Sequence, residues 1–321
     1  MRIIFLCLFL LANAAATELL QLYLKEGIKA VEGRLESQLA DSSAWSKALM
    51  GQDLRFGYYE KDAMIAVVDK TAQKIKLFSW LNGQLKEIFA HEIITGLMGD
   101  KQVSGDLKTP VGSYESLKQF KPNDAYYGPW AFALDYPNHF DLSMNKTGNG
   151  IWIHGYPIYG DIRYDPKMTR GCVVLKNDVL IDFWEQVKDK RLIVLINEAG
   201  QKEAKNEEVA QILALLYAWK RAWTNSDLDA YLSFYSKDFK KFDGSDFSSF
   251  KKHKQIIFAR KEDKKIKFSN ISLSPYPNTL GKELFKLSFH EDYYTKNYQY
   301  KGDKFLYLEK EGTKYKILVE R

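Results

Sequence analysis

Thr169-Arg170-Gly171-Cys172-Val173, with His154-Gly155 beginning eighteen positions before the cysteine, is the stretch on which the reading of this chain turns. The other cysteine, Cys7, falls in an N-terminal apolar run that export would remove, so Cys172 has no disulfide partner within the mature chain. A lone thiol in an exported protein is exposed to oxidation and is usually kept for chemistry. Taken alone, it reads equally well as a buried, inert small hydrophobe; its neighbours decide. A free thiol is only a few per cent ionised near neutral pH, and an imidazole beside it lowers its pKa and shuttles the proton to a leaving group, which makes His154 the expected base. Gly171 permits a sharp turn that leaves the Gly171 and Cys172 amides free for a developing oxyanion, an effect worth about 10²–10³ in rate. A backbone carbonyl near Gly155 is the expected partner of the second imidazole nitrogen. Nucleophile, base and oxyanion donors together point to acyl transfer.

The N-terminus sets the compartment. Met1-Arg2, the apolar run Ile3 to Leu11 and the small residues Ala12 to Ala16 read as a secretory signal over 1–16. The run is shorter than the ~20 residues a membrane span needs, so the mature protein is expected in the periplasm. Roughly 305 residues then remain, more than one core comfortably holds, and two folded units are expected. The net charge of +6 suits an anionic envelope but is explained as well by a lysine-rich surface. No clustered basic motif of a nucleic-acid reader is present, so nucleic acid is excluded as a partner. There is no His-Glu-x-x-His or Cys-x-x-Cys, and His91, His139, His253 and His290 lack ligand spacing; neither metal nor cofactor is expected.

Three blocks follow the signal. Leu20, Leu24, Ile28, Val31, Leu35 and Leu39 recur at three and four residues, predicting a helix between Glu18 and Met50 that packs on the main body or pairs with a second copy. From Tyr58 the pattern turns β-rich: Ala63 to Val68, Lys74 to Trp80, an Asn82-Gly83 turn into Gln84 to Phe89, then runs ending at His154, opening at Cys172 and spanning Arg191 to Ile196. A helix over Val179 to Val187, capped by Asn177 or Asp178, lies among them. Because His154 closes one strand and Cys172 opens another, the two side chains meet at one rim beneath the Gly155 to Arg170 loop. Last come an amphipathic helix through Val209, Leu213, Leu216, Trp219 and Trp223, a second from Asp227 to Tyr235, and alternating strands ending at Tyr315 to Val319.

Gly105-Asp106-Leu107-Lys108-Thr109-Pro110-Val111-Gly112-Ser113-Tyr114, then His154-Gly155, then Thr169 to Val173, stand in the order of the L,D-transpeptidase catalytic domain, and the region from roughly Tyr58 to Asn197 resembles that YkuD-type fold. The resemblance implies a mostly-β domain whose cysteine forms an acyl-enzyme with a peptidoglycan stem peptide, attacking the bond between the L-centre of meso-diaminopimelate and a terminal D-alanine. One departure is visible: where many members carry Arg or Asn two places after the cysteine, this chain has Val174. An acceptor amine that cannot be held leaves water as the acceptor, and the tetrapeptide is trimmed to a tripeptide.

The last block is similar to the nuclear-transport-factor-2-like (NTF2-like) fold. The expected class is thus α+β: a helical segment over 17–57, a YkuD-type domain over 58–199 and an NTF2-like domain over 205–321. This arrangement resembles the cell-shape-determining L,D-carboxypeptidases of curved and helical Gram-negative bacteria, which favours trimming. The alternatives are an L,D-transpeptidase making 3–3 cross-links with the same residues, and an idle wall-binding scaffold. Within the site Arg170 either meets the substrate's terminal carboxylate or braces the loop, and Thr169, Arg163 and Tyr164 lie on the same flap. A curved sheet over helices makes a pocket that Tyr293, Tyr294, Tyr298 and Tyr300 would line for a glycan or peptide, although aromatics so spaced also serve as core. The lysine-rich stretch from Lys237 to Lys267 reads as a solvated face.

Overall fold

A computed structural model describes residues 17–161, 163–198 and 200–321. The signal sequence expected at 1–16, and Cys7 with it, lies outside the described residues. Among the described residues no helix is long and apolar enough to cross a membrane.

The segment from Glu18 to Met50 holds three helices rather than one, α1 over 17–26, α2 (Ile28–Leu39) and α3 (Ser42–Ala48), and the apolar spacing is divided between the first two. Gly27 breaks the run at φ 82°, a conformation natural only to glycine. Asp41 opens α3 as its N-cap, its carboxylate accepting from the Ser43 amide at 2.9 Å. Helices α2 and α3 pack within the chain, on helix α6 (Asn206–Thr224) of the C-terminal unit: Trp45 stacks on Tyr217 at 5.8 Å and Lys220 pairs with Glu36 at 2.6 Å. Leu24 remains 74% and Ile28 56% exposed.

Strand β1 (Tyr58–Tyr59) pairs with the C-terminal sheet, not with the strands that follow it. Those strands are β2 (Ala63–Asp69), β3 (Lys74–Leu81), β4 (Gln84–Glu92), β5 (Gly112–Phe120), β6 (Ala131–Leu134), β7 (Trp152–His154), β8 (Val173–Val174) and β9 (Leu192–Asn197). They form an eight-stranded sheet in the order β4-β3-β2-β9-β5-β6-β7-β8. Asn82 and Gly83, at φ 50° and 75°, turn β3 into β4 as their sequence predicts. Two short helices accompany the sheet, α4 (His139–Ser143) and α5 (Asn177–Val187). Helix α5 starts two residues earlier than its apolar pattern suggests, and neither Asn177 nor Asp178 caps it. The Asn177 side chain is used elsewhere, accepting from the Tyr156 amide at 2.7 Å.

The C-terminal unit runs α6, α7 (Leu228–Ser233), β10 (Tyr235–Lys241), α8 (Phe247–Ala259), β11 (Lys265–Pro275), β12 (Leu284–Tyr294), β13 (Gln299–Glu311) and β14 (Lys314–Glu320). Its sheet order is β1-β11-β12-β13-β14-β10. The Lys237 to Lys267 stretch is not wholly solvated: the Lys254 ammonium lies 5.0 Å over the Tyr231 ring and 5.2 Å over Trp223.

Alternate residues of β2 and β9 enter two different cores. Met64, Ala66 and Val68 join Leu192, Val194 and Ile196 against α5. Ile65, Val67, Ile193 and Leu195 instead pack with Trp219, Leu273, Phe285 and Leu287 of the C-terminal unit. Both faces of the sheet are therefore covered, which is why these strands are continuous apolar runs. Polar ties cross the same seam: Ser113 Oγ lies 2.8 Å from Ser274 Oγ, and Lys286 reaches Asp135 at 3.2 Å.

Candidate active site

Parallel pairing of β7 with β8 sets Ile153 against Val173 and His154 against Val174. Ile153 and Val173 enter the core, so strand alternation turns their neighbours His154, Cys172 and Val174 to the other face. All three line one cleft of about 330 Å³, together with Tyr127, Trp152 and Arg170. The thiol is nevertheless not hydrogen-bonded to the imidazole: Cys172 Sγ donates to the Gly150 carbonyl at 3.5 Å.

The imidazole is buried, 5% exposed, with the Tyr127 ring edge-on at 5.0 Å. Its Nδ1 lies 2.8 Å from the Gly155 carbonyl. A carbonyl can only accept, so the neutral ring carries its proton on Nδ1 and keeps the Nε2 lone pair. Burial holds the His154 pKa down to about 4, the Gly155 bond opposing. Gly155 is required by space: a Cβ there would meet Asn177 Oδ1 at 2.2 Å.

Burial pushes the Cys172 thiol up to about 11, and the Trp152 amide and the charge of Lys101 recover only part of that. The expectation that a neighbouring imidazole lowers the thiol is thus overturned at rest. Both groups are neutral near pH 7, because each sits where a charge is poorly solvated.

Gly171 takes φ 122°, and a Cβ there would come within 2.8 Å of the Lys108 carbonyl. Its amide is not free, as the sequence led us to expect, but donates to Thr169 Oγ1 at 3.1 Å. Thr169 Oγ1 in turn donates to the Cys172 carbonyl at 2.7 Å. Thr169 is a clasp for the Arg170-Gly171 turn. Arg163 does not line the cleft; its exposed guanidinium is held by Asp161 at 2.5 Å and Asp124 at 3.3 Å, over the Tyr126 ring. Arg170 does line it, is exposed, and makes no ion pair among the described residues. Tyr164 lines it with a buried hydroxyl, its ring 5.0 Å from that of Tyr156.

The upstream motif builds the opposite wall. Asp106 binds the buried Lys101 ammonium at 2.7 Å and the amides of Gln102, Val103 and Lys108. Burial would raise this carboxyl, but those donors outweigh it and hold it at about 2. Thr109 Oγ1 accepts from the Gly96 amide at 2.8 Å. Lys101, Tyr126, Tyr127 and Trp152 are site residues that sequence reading did not select. The paired tyrosines before Gly128-Pro129 were the available signal.

A larger pocket of about 870 Å³ opens in the C-terminal unit, lined by Tyr293, Tyr298 and Tyr300 but not by Tyr294. Lys254, Lys304, Glu291 and Glu320 bring charge to it. Burial lowers Lys254 to about 8.

Residues 63–196 match the YkuD L,D-transpeptidase catalytic domain, and residues 211–321 match the Cds6 C-terminal NTF2-like domain. YafK, an L,D-transpeptidase-like protein of Escherichia coli K12, is 26% identical over 124 residues; the match spans 38% of this chain and just under half of YafK, 46%. The structure of Bd1075 from Bdellovibrio bacteriovorus superposes with a TM-score of 0.63 at 28% identity, over 84% of this chain and 96% of that one. That of the helical cell shape determining protein Pgp2 from Campylobacter jejuni gives a TM-score of 0.83 at 47% identity, over 88% of this chain and 99% of that one. A likeness that spans both domains at this identity settles the family: the chain belongs with Pgp2, as an L,D-transpeptidase-family enzyme with an NTF2-like domain behind its catalytic domain.

Proposed function

We propose that the protein is a periplasmic L,D-carboxypeptidase that trims peptidoglycan tetrapeptides to tripeptides with Cys172 as nucleophile, and that it thereby influences cell shape. The observation that carries this reading is the cleft itself, in which His154 ends one strand and Cys172 immediately precedes the parallel strand beside it, with the imidazole tautomer set by Gly155. Sγ swings from the Gly150 carbonyl to His154 Nε2, surrenders its proton and attacks the carbonyl of the L-centre of meso-diaminopimelate. The imidazolium passes that proton to the departing D-alanine amine, and water then resolves the thioester with His154 as base. Proton transfer during attack suits two groups that are neutral at rest. Arg170 receives the terminal carboxylate, a role supported by its exposure on the cleft lining.

Val174 supports water rather than an amine as acceptor. It faces the cleft and is 2% exposed, so an apolar side chain stands where many relatives carry a polar one. The likeness to Pgp2, called a helical cell shape determining protein, supports the role in shape. The tyrosine-lined pocket of the C-terminal domain is suited to a wall glycan or peptide. The exposed Leu24 and Ile28 are a surface for a second copy.

Incubation with disaccharide-tetrapeptide tests the reading: tripeptide and free D-alanine are expected, with Cys172→Ala at background and still folded. Dimeric muropeptide as the main product would instead identify a 3–3 transpeptidase. Trimming undiminished in Cys172→Ala would remove the mechanism.

A further inference from the structure

We infer that the C-terminal domain shapes the catalytic cleft: Tyr276, acting on the buried Asp141–Lys146–Asp100 cluster, is a positioning residue for the two segments that wall Cys172. This rests on the reading of Cys172 as the nucleophile given above.

Tyr276 follows β11 and is 3% exposed at the seam between the domains. Its hydroxyl receives the Asn138 amide at 3.1 Å and lies 3.4 Å from Asp141 Oδ1. Asp141, 0% exposed, accepts from Lys146 Nζ at 2.9 Å, and the same ammonium reaches Asp100 Oδ2 at 2.6 Å. Two carboxylates on one buried ammonium leave excess negative charge, so the Tyr276 and Asn138 donors matter to the geometry of the cluster.

From this cluster the chain runs into the cleft on both sides. Asp100 leads into Lys101, Ser104 and Gly105, and Lys146 leads into Gly148, Asn149 and Gly150, all of them lining residues. The two segments are cross-tied, Thr147 N donating to Gln102 O at 2.9 Å and Ser104 N to Thr147 Oγ1 at 3.2 Å. Gly150 is the residue whose carbonyl holds the thiol. A group from the other domain is therefore tied, through one buried charge cluster, to both walls of the cleft.

Tyr276→Phe in the full chain tests this, because the ring keeps its contacts with Phe140 at 5.0 Å and Tyr307 at 5.6 Å while the hydroxyl is lost. Two readouts are used: alkylation of Cys172 by iodoacetamide against pH, and kcat and KM on disaccharide-tetrapeptide. Loosened walls admit water and hydrate the thiolate, so alkylation at pH 8 is expected to rise about threefold or more while kcat falls about tenfold with KM little changed. Asp141→Asn is expected to move both readouts the same way. Ser274→Ala removes a seam hydrogen bond that does not touch the cluster and is expected to leave both at wild-type values. The inference is overturned if Tyr276→Phe and Asp141→Asn leave alkylation unchanged, or if Ser274→Ala shifts it equally. If alkylation shifts as stated while the wild-type protein releases no D-alanine, the positioning role stands and the carboxypeptidase reading fails.

Discussion

His154 and Cys172 are kept neutral by the same cause, removal from water, and this has a kinetic consequence. In the proposed mechanism the free-enzyme limbs of kcat/KM report His154 as base and Cys172 as nucleophile, and these lie at about 4 and about 11. The profile is therefore expected to be flat from about pH 5.5 to 9.5, with its acid limb near the lower value. An acid limb at the ordinary imidazole pKa of ~6.5 would show a solvated base and count against this site. Replacing His154 by Ala should lower kcat by about 10²–10⁴, the usual contribution of a general base. That Cys172 and His154 come to one cleft was legible from type and spacing alone. That the thiol rests on Gly150, or that Thr169 occupies the Gly171 amide, was not, since rotamers and the partners of a turn depend on what surrounds them.

At the scale of elements, the Asn82-Gly83 hairpin follows from local conformational preference and was legible. Asn177 shows the limit of the same logic. An Asn at a helix start reads as a cap, yet its oxygen serves the Tyr156 amide twenty-one positions away in sequence. That bond pins the start of the flap beyond Gly155. Asn177→Ala is expected to quicken hydrogen exchange and proteolysis in the Tyr156 to Tyr164 loop, with the rest of the domain unchanged. At the turn before β8, Gly171→Ala should cost about 1–3 kcal/mol through its left-handed backbone and the Lys108 carbonyl, read as a lower melting temperature. The broken N-terminal helix shows the limit of periodicity, because Gly27 divides the run and Leu20, Leu24, Ile28 and Leu35 stay exposed.

For the molecule as a whole, the catalytic sheet lends one face to its own α5 and the other to the C-terminal unit. Neither unit buries its apolar surface without the other, so thermal unfolding should give one calorimetric transition, coincident with loss of tryptophan fluorescence. Leu195→Ala, which opens the shared core, should lower stability by about 2–5 kcal/mol and move that single transition. Two separated transitions would show that the seam is a weak contact. The continuous apolar runs Ala63 to Val68 and Leu192 to Ile196 were read only as strands; that both their faces are covered came from the packing.

Residue chemistry and local pattern belong to the sequence itself: the cysteine and histidine of the proposed site, the tight turn, the β-rich domain and the helices-then-sheet unit are all read from neighbours in the chain. Burial is different, because it is set by chain segments far apart. Only the folded chain decided that burial keeps thiol and imidazole both neutral, that Thr169 and Arg163 hydrogen-bond to neighbouring segments at rest, and that β1 and Tyr276 join the two domains. Solvation of a charge and the partner of a hydrogen bond are properties of the space around a residue, and that space is filled only when the chain has folded.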